Sequence, residues 1–107
     1  MLQRDACQQQ LAHLEQLLKR HDLWSLQQPS IEALSSVEPF CIDTLTPIEW
    51  LQWVLIPKLN FMLQHDHPLP TAFDISPYFS EALKAHQYQV VIVEHLQELD
   101  QLFKGEV

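Results

Sequence analysis

Residues 39–57 read PFCIDTLTPIEWLQWVLIP, and this stretch decides the fold because it contains the clearest helix start in the chain. Thr46 is suited to cap a helix, and Pro47 then falls at the first helical position, where its missing N–H costs nothing. Glu49 stands three residues after the cap, where its carboxylate completes a capping box. The pattern predicts a helix that begins at Pro47.

The helix that follows is apolar on nearly every side, which is typical of a buried helix. We therefore expect it to be the central helix of the fold and to run to about Gln64. Pro57 lies inside it and removes the hydrogen bond to the Trp53 carbonyl, so the sequence predicts a kink near residues 53–57 that opens a small groove. The apolar residues of this helix are Trp50, Leu51, Trp53, Val54, Leu55, Ile56, Leu59, Phe61, Met62 and Leu63.

Three further helices are predicted around the central one. Apolar residues at helical spacing indicate an amphipathic helix over about residues 3–21 and a last helix over about residues 88–104. Ser76-Pro77 repeats the cap-then-proline signal and starts a short helix that ends near His86. With one Gly and seven Pro, the chain has little use for left-handed turns and favours helices with fixed starts and stops.

The connection over residues 25–45 is long for a small domain. We expect one short helical turn near residues 30–35, and otherwise a packed cover over the bundle; a binding loop is the alternative. The apolar residues that would pack are Ile31, Leu34, Val37, Phe40 and Ile42. Together these elements predict an all-α fold: a single four-helix-bundle domain over residues 1–107, with a kinked, buried central helix and short extra helical turns.

Charge and composition exclude several classes of function. Six Lys and Arg stand against fourteen Asp and Glu, a net charge of -8. This charge repels phosphates, so we expect no direct binding of nucleic acid and no membrane binding, whereas a basic partner protein fits. No signal peptide and no membrane span is recognisable. Cys7 and Cys41 are too few for a disulfide framework, so buried free thiols in a cytoplasmic protein are predicted.

No catalytic residue, cofactor or metal site is predicted, because the chain contains no HExxH, CxxC, P-loop, GxGxxG or GxSxG pattern. The histidine cluster His65-Asp66-His67 lies in a turn, whereas zinc takes three or four ligands on fixed elements. Asp43 and Glu49 flank the start of the central helix, where capping explains acids better than paired-carboxylate catalysis. Glu98 and Asp100 are interpreted as ordinary surface charges of the last helix.

Aromatic side chains supply most of the remaining candidates for contact with a partner or ligand. Trp24 follows the first helix and is expected to fold back over the rim of the bundle. Trp50 and Trp53 share roughly one helical face, as core, pocket or interface residues. The full set of candidate contacts is Trp24, Phe40, Asp43, Trp50, Trp53, Phe73 and Tyr78.

Residues 43–59 read DTLTPIEWLQWVLIPKL, with Pro39-Phe40 before them and Pro68-Leu69-Pro70, Phe73 and Pro77-Tyr78 after them. This pattern closely resembles the YqcC-like family of small bacterial proteins of uncharacterised function. The terminal segments LAHLEQLL and LQELDQLF add weaker resemblance, so that most of the chain is covered. The resemblance implies a helical bundle, often encoded beside a tRNA pseudouridine synthase, and brings no catalytic motif with it.

The residues and the resemblance together predict a non-enzymatic accessory or interaction protein. The genomic association implied by the family indicates a basic RNA-modifying enzyme, a tRNA pseudouridine synthase, as a candidate partner. The alternative is a small-molecule-binding helical domain that uses a groove near Pro57. An enclosed apolar pocket with convergent polar groups would favour the ligand, and an exposed aromatic patch rimmed by acids would favour the partner.

Overall fold

Helices supply the regular secondary structure of the described part of the chain. The computed structural model describes residues 2–65 and 74–103. No strand occurs in these two ranges, and the predicted all-α fold is confirmed. The elements are α1 (Leu2–Arg20), α2 (Ile31–Leu34), a 3-10 turn (Pro39–Cys41), α3 (Pro47–Trp50), a π turn (Leu51–Leu55), α4 (Ile56–Gln64), α5 (Ser76–Ala82) and α6 (Gln89–Phe103).

α1 ends in a left-handed turn, which the composition did not predict. Asp22 has φ 58°, and its N–H donates to the Lys19 carbonyl over 3.2 Å. The Leu23 N–H donates to the Leu18 carbonyl over 2.8 Å. These two bonds form a Schellman motif, in which Gly usually takes the left-handed position. After this turn Trp24 folds back as predicted and packs, partly buried, against the core.

The predicted capping box at the start of the central helix is confirmed. Thr46 Oγ1 accepts a hydrogen bond from the Glu49 N–H over 3.1 Å, and Glu49 Oε1 accepts one from the Thr46 N–H over 2.8 Å. Pro47 occupies the first turn, where a missing N–H leaves no helical bond unmade. α3, the π turn and α4 follow one another without a gap, and we call residues 47–64 the central helix.

Replacing Thr46 by alanine is expected to lower the free energy of unfolding by about 1 kcal/mol, because the Glu49 N–H loses its side-chain partner. Urea denaturation followed by circular dichroism measures this change. Thr46→Ser keeps the hydroxyl and is the matched control, with a midpoint close to that of the unsubstituted protein. An unchanged midpoint for Thr46→Ala would mean that this cap does not stabilise the fold.

A π turn interrupts the α-helical register just before Pro57. The Ile56 N–H donates to the Leu51 carbonyl, five residues earlier, where an α-helix joins residues four apart. Proline has no N–H and crowds the preceding turn, and a locally widened turn is one way in which a helix accommodates such a residue. The sequence predicted a kink near residues 53–57, and what the structure shows next to Pro57 is this π turn over Leu51–Leu55.

The hydrophobic core joins all the longer helices. α1 packs against α6 and α4, and α5 packs against α6. The buried apolar residues of the core are Cys7, Leu11, Leu14, Leu17, Leu18, Leu51, Leu55, Ile56, Leu59, Ile75, Phe79, Leu83, Ile92, Val93, Leu96, Leu99 and Phe103.

The central helix is not buried on all sides, and that part of the prediction is wrong. Trp53 and Val54 are half-buried, and Phe61 is 52% exposed. A chain of 107 residues has too few helices to surround a central one completely, because a small domain leaves a large share of its surface in contact with solvent. Apolar surface on the central helix is therefore left outside the core.

A side chain from a distant helix caps the start of α5. Ile75 occupies the cap position and forms no capping bond with its own side chain. Asp100 of α6 accepts hydrogen bonds from the Ile75 N–H over 3.0 Å and from the Ser76 N–H over 2.9 Å, and it is 2% exposed. The predictions of Ser76 as the cap and of Asp100 as a surface charge are both wrong, because the fold brings a carboxylate from α6 to this end of α5.

The connection over residues 25–45 packs against the core only in part. Ser30 caps α2 as the predicted short turn, and Phe40 packs against the core. Ile31, Val37 and Ile42 are 82%, 93% and 59% exposed, however, so the prediction of a packed cover is wrong for these residues. α2 is a single turn without a buried residue, and such a short element cannot turn all of its apolar side chains inwards.

Gln52 ties the start of this connection to the central helix. It lies in the π turn and is 4% exposed. Its Nε2 donates to the Ser25 carbonyl over 2.7 Å, and its Oε1 accepts from the Ser25 N–H over 2.8 Å. One amide side chain thereby satisfies both backbone groups of a single residue, as its donor and acceptor allow.

Candidate functional site

An open groove lies between the 3-10 turn and the central helix. Its volume is about 430 Å³, which is within the range of small-molecule sites. We call it the aromatic groove, and it is lined by Pro39, Phe40, Trp50, Val54, Leu55, Lys58, Leu59 and Ile75. Lys58 is the one charged residue among the described residues of this lining, and the others are apolar.

Phe40 and Trp50 line the aromatic groove and belong to a cluster of packed aromatic rings. The Phe40 ring lies 4.1 Å from the Tyr78 ring, between centroids, with 1° between the planes. Phe40 also meets Trp50 edge to face at 5.0 Å. Phe79 is fully buried and lies 5.7 Å from Phe40, which joins these rings to the core. The fold thus brings together three of the predicted contact residues, which are Phe40, Trp50 and Tyr78.

The backbone that presents Phe40 has an unusual conformation. φ is 58° at Phe40 and 49° at Cys41, in the left-handed region that residues other than Gly seldom occupy. The Cys41 N–H donates to the Glu38 carbonyl over 3.0 Å, and the Leu45 N–H donates to the Cys41 carbonyl over 2.8 Å. Strained residues of this kind, like π turns, are concentrated at functional sites. Both features adjoin the aromatic groove.

Sequence reasoning missed the groove residues of the central helix beyond Trp50. Trp50, Val54 and Lys58 are spaced four apart, which places them along one stripe of a helix, and this spacing was the available signal. It was hidden because Val54 was interpreted as one of the apolar residues of a buried helix, and no prediction was made for Lys58. Lys58 is exposed and forms no ion pair with another described residue.

A second surface lies on the segment that joins Leu26 to Asp43, which we call the acidic apolar loop. Its exposed apolar side chains are Leu26, Ile31, Val37 and Ile42. Its exposed acids are Glu32, Glu38 and Asp43. No Lys or Arg occurs between Arg20 and Lys58 in the sequence, so this stretch combines apolar surface with negative charge alone.

Three other predicted contact residues, Trp24, Asp43 and Trp53, are not part of the groove lining. Lys19 Nζ lies 5.2 Å from the Trp24 ring centroid, at the end of α1. Asp43 accepts a hydrogen bond from Ser36 Oγ over 2.6 Å. Trp53 is half-buried, and its Nε1 has no hydrogen-bond partner within the described ranges. Phe73 lies outside the described residues.

Metal and thiol chemistry have little support from the side chains that the structure describes. Within residues 2–65 and 74–103 no group of three His, Cys, Asp or Glu side chains could hold an ion, and Asp66-His67 lies outside these ranges. Cys7 and Cys41 are buried and free, as predicted. Burial raises the pKa of the Cys7 thiol from 9.0 to about 11, against the opposing charge of Arg4. That thiol is therefore protonated and unreactive at neutral pH.

The fold and the groove define an all-α protein with an open apolar groove. The model of the DUF446 family, described as tRNA pseudouridine synthase C, matches residues 6–102. The chain belongs to this family, which is the YqcC-like family that its sequence resembles. No helix of the described ranges is long and apolar enough to cross a bilayer.

Two comparisons cover almost the whole chain. The uncharacterised protein YqcC of Escherichia coli K12 is 41% identical over 104 residues, which are 96% of this chain and 95% of that protein. The solution NMR structure of YqcC from E. coli superposes with a TM-score of 0.87 at 40% identity and covers 100% of this chain and 92% of that one. These comparisons confirm the predicted resemblance and the helical fold.

Two further relatives match about two thirds of the chain. An uncharacterised protein of Haemophilus influenzae is 47% identical over 75 residues, which are 67% of this chain and 71% of that protein. A protein named tRNA pseudouridine synthase C, from Pectobacterium carotovorum subsp. carotovorum, is 36% identical over 73 residues. The match covers 68% of this chain but 19% of that protein, so the similar segment is a small part of a longer chain.

Proposed function

We propose that this chain is a non-enzymatic accessory protein that binds a tRNA pseudouridine synthase in the cytoplasm. The observation that carries the proposal is the Pectobacterium relative, in which a segment similar to this chain makes up 19% of a protein named as that enzyme. A covalent link keeps two binding parts at high effective concentration. A segment that is linked to the enzyme in one relative, and that makes up 95% of YqcC of Escherichia coli in another, is suited to act on the enzyme in either arrangement.

The acidic apolar loop supplies the docking surface in this proposal. Large exposed apolar side chains mark interaction sites when polar residues surround them. Here the surrounding charges are the carboxylates of Glu32, Glu38 and Asp43, which complement a basic surface and steer its approach. An enzyme that binds tRNA carries such a basic surface, because contact with phosphates requires Lys and Arg.

The enzyme, and not this chain, makes the contact with RNA. A net charge of -8 repels the phosphate backbone, and the few Lys and Arg residues are scattered along the chain. The chemistry of base modification likewise belongs to the synthase. The accessory chain contributes binding, and through it the position or stability of the enzyme.

The test is a titration of the full-length chain with the purified tRNA pseudouridine synthase C of the same genome, over a range of salt. We expect saturable binding whose association rate falls as salt rises, since charges across an interface are screened over about 8 Å at physiological ionic strength. Val37→Arg should weaken binding by about tenfold or more, which is about 1.4 kcal/mol. The new cation would meet the basic surface of the enzyme.

Val90→Arg is the matched control, because Val90 is an exposed valine of α6 outside the loop. It adds the same charge and should leave the affinity within about twofold, a negligible free-energy difference. Equal losses for the two variants would show that the loop is not the docking surface. Tight binding of tRNA by the chain alone, or no binding of the synthase, would contradict the proposed function.

A further inference from the structure

The aromatic groove contains a feature that docking through the acidic apolar loop does not use, which is one cation in an otherwise apolar lining. From this we infer that the groove binds a small apolar monoanion, a molecule with a short alkyl or single-ring body and one carboxylate. The ligand is a small molecule and not a segment of the synthase, so this inference is independent of the proposed function. It rests on the size of the groove, its charge and its preformed walls.

Size limits the ligand to a small molecule. A groove of about 430 Å³ is near the lower end of the range that binds metabolites and drug-sized compounds. Phe40, Trp50 and Val54 offer apolar contact area to such a body, and burial of that area is the main driving force for binding. The groove is open to solvent, so a body with one polar end can keep that end in water.

The positive charge of Lys58 favours an anionic ligand. Lys19 pairs with Glu15 within α1 at 2.7 Å, and Lys84, just past α5, pairs with Glu81 at 3.4 Å. Acids at helical spacing from Lys58 would occupy positions 54, 55, 61 and 62, but all four are apolar: Val54, Leu55, Phe61 and Met62. The Lys58 ammonium is thus left for a partner from outside the helix. Next to an apolar wall, a carboxylate partner is bound more strongly than in open water.

A single cation in the groove favours a ligand with one negative charge. Among the described residues, the lining contains no second Lys or Arg, so a phosphate with two negative charges would leave one of them without compensation beside apolar walls, at a cost in desolvation. A single carboxylate is neutralised by Lys58 alone. An uncharged body without the carboxylate would gain the apolar contacts only.

The groove is formed before any ligand arrives. Phe40 is held by its stack on Tyr78 and by the backbone at φ 58°, and Leu55 and Leu59 belong to the core. A preformed site loses less conformational entropy on binding than one that must be ordered. A weak but saturable affinity for even a small ligand is the consequence.

The experiment compares three ligands with the same chain length: octanoate, 1-octanol and octylammonium. Methyl NMR spectra of the full chain report where each one binds. Octanoate should shift the methyl signals of Val54, Leu59 and Ile75 saturably, and it should bind about tenfold more tightly than 1-octanol, a difference of about 1.4 kcal/mol. Octylammonium should bind most weakly, because its charge is repelled by Lys58.

Lys58→Gln should reduce the preference for octanoate over octanol to less than about twofold, while octanol itself binds as before. Lys84→Gln, an exposed lysine of a different segment, is the matched control and should keep the preference. Val54→Phe should fill the groove and weaken both ligands. Three results would overturn the inference. They are equal affinities for octanoate and octanol, a preference for octanoate that survives Lys58→Gln, and methyl shifts located away from the groove.

Binding of the synthase should be the same for Lys58→Gln and the unsubstituted chain. This comparison separates the test of the groove from the test of the proposed function.

Discussion

Asp100→Leu is expected to lower the free energy of unfolding by about 3 kcal/mol, although it replaces a buried charge by an apolar group of similar size. The carboxylate accepts from the Ile75 N–H and the Ser76 N–H. Leucine would leave both donors buried without an acceptor, at about 1–3 kcal/mol for each. The start of α5 would also lose the negative charge that stabilises a helix N-terminus.

Urea denaturation of Asp100→Leu and of Asp100→Asn tests this prediction. The amide of Asn offers an oxygen to one N–H but turns its own donor towards the other, so an intermediate loss of about 1.5 kcal/mol is expected. Glu94→Leu removes an exposed acid of the same helix and should change the stability by less than about 0.5 kcal/mol. In Asp100→Leu the Ile75 and Ser76 amides should also exchange with deuterium faster. A neutral or stabilising effect of Asp100→Leu would show that apolar packing compensates for the lost cap.

Phe79→Ala is expected to cost about 3–5 kcal/mol, as for other large aromatic residues in cores. Phe79 is fully buried, and its ring centroid lies 5.8 Å from that of Trp50 and 5.0 Å from that of Tyr78. Truncation would leave a cavity under the aromatic groove and remove the ring that joins Phe40 to the core. The expected result is a large drop in the urea midpoint together with weaker binding of octanoate.

Phe61→Ala is the matched control, since Phe61 is 52% exposed and its removal opens no enclosed cavity. We expect a loss of less than about 1.5 kcal/mol there. Phe79→Leu keeps most of the volume and should fall between the two. If Phe79→Ala and Phe61→Ala were equally stable, the aromatic cluster would not depend on the core beneath it.

Local signals predicted the helices well. The capping box of Thr46 and Glu49 depends on residues three apart, so its geometry follows from the backbone of a single turn. The amphipathic pattern of the first and last helices located α1 and α6 for the same reason. Pro57 marked the irregular part of the central helix, although the resulting π turn was not specified by the residue type.

Contacts between distant residues were not predictable in this way. Asp100 follows the pattern of a surface acid on its own helix, and its role appears only when the fold brings it next to Ile75 and Ser76. In the sequence, Gln52 resembles a polar interruption of an apolar helix. Its hydrogen bonds to Ser25 appear only in the folded chain. The exposure of Val37 depends on which elements cover the loop, and no local sequence pattern predicts that coverage.

The candidate groove likewise combines features that the sequence predicts with features that only the tertiary structure decides. The sequence by itself determined that Trp50 and Tyr78 stand near helix starts, that Phe40 lies in the connection before the central helix, and that a proline-bearing helix offers a groove nearby. It also determined the net charge of -8 and the absence of Lys and Arg between Arg20 and Lys58. Tertiary structure alone decided that Phe40 stacks on Tyr78 and lines one groove with Lys58, because these contacts join residues far apart in the chain. Helix periodicity and capping act over a few residues, whereas burial, remote caps and grooves depend on how whole helices pack together.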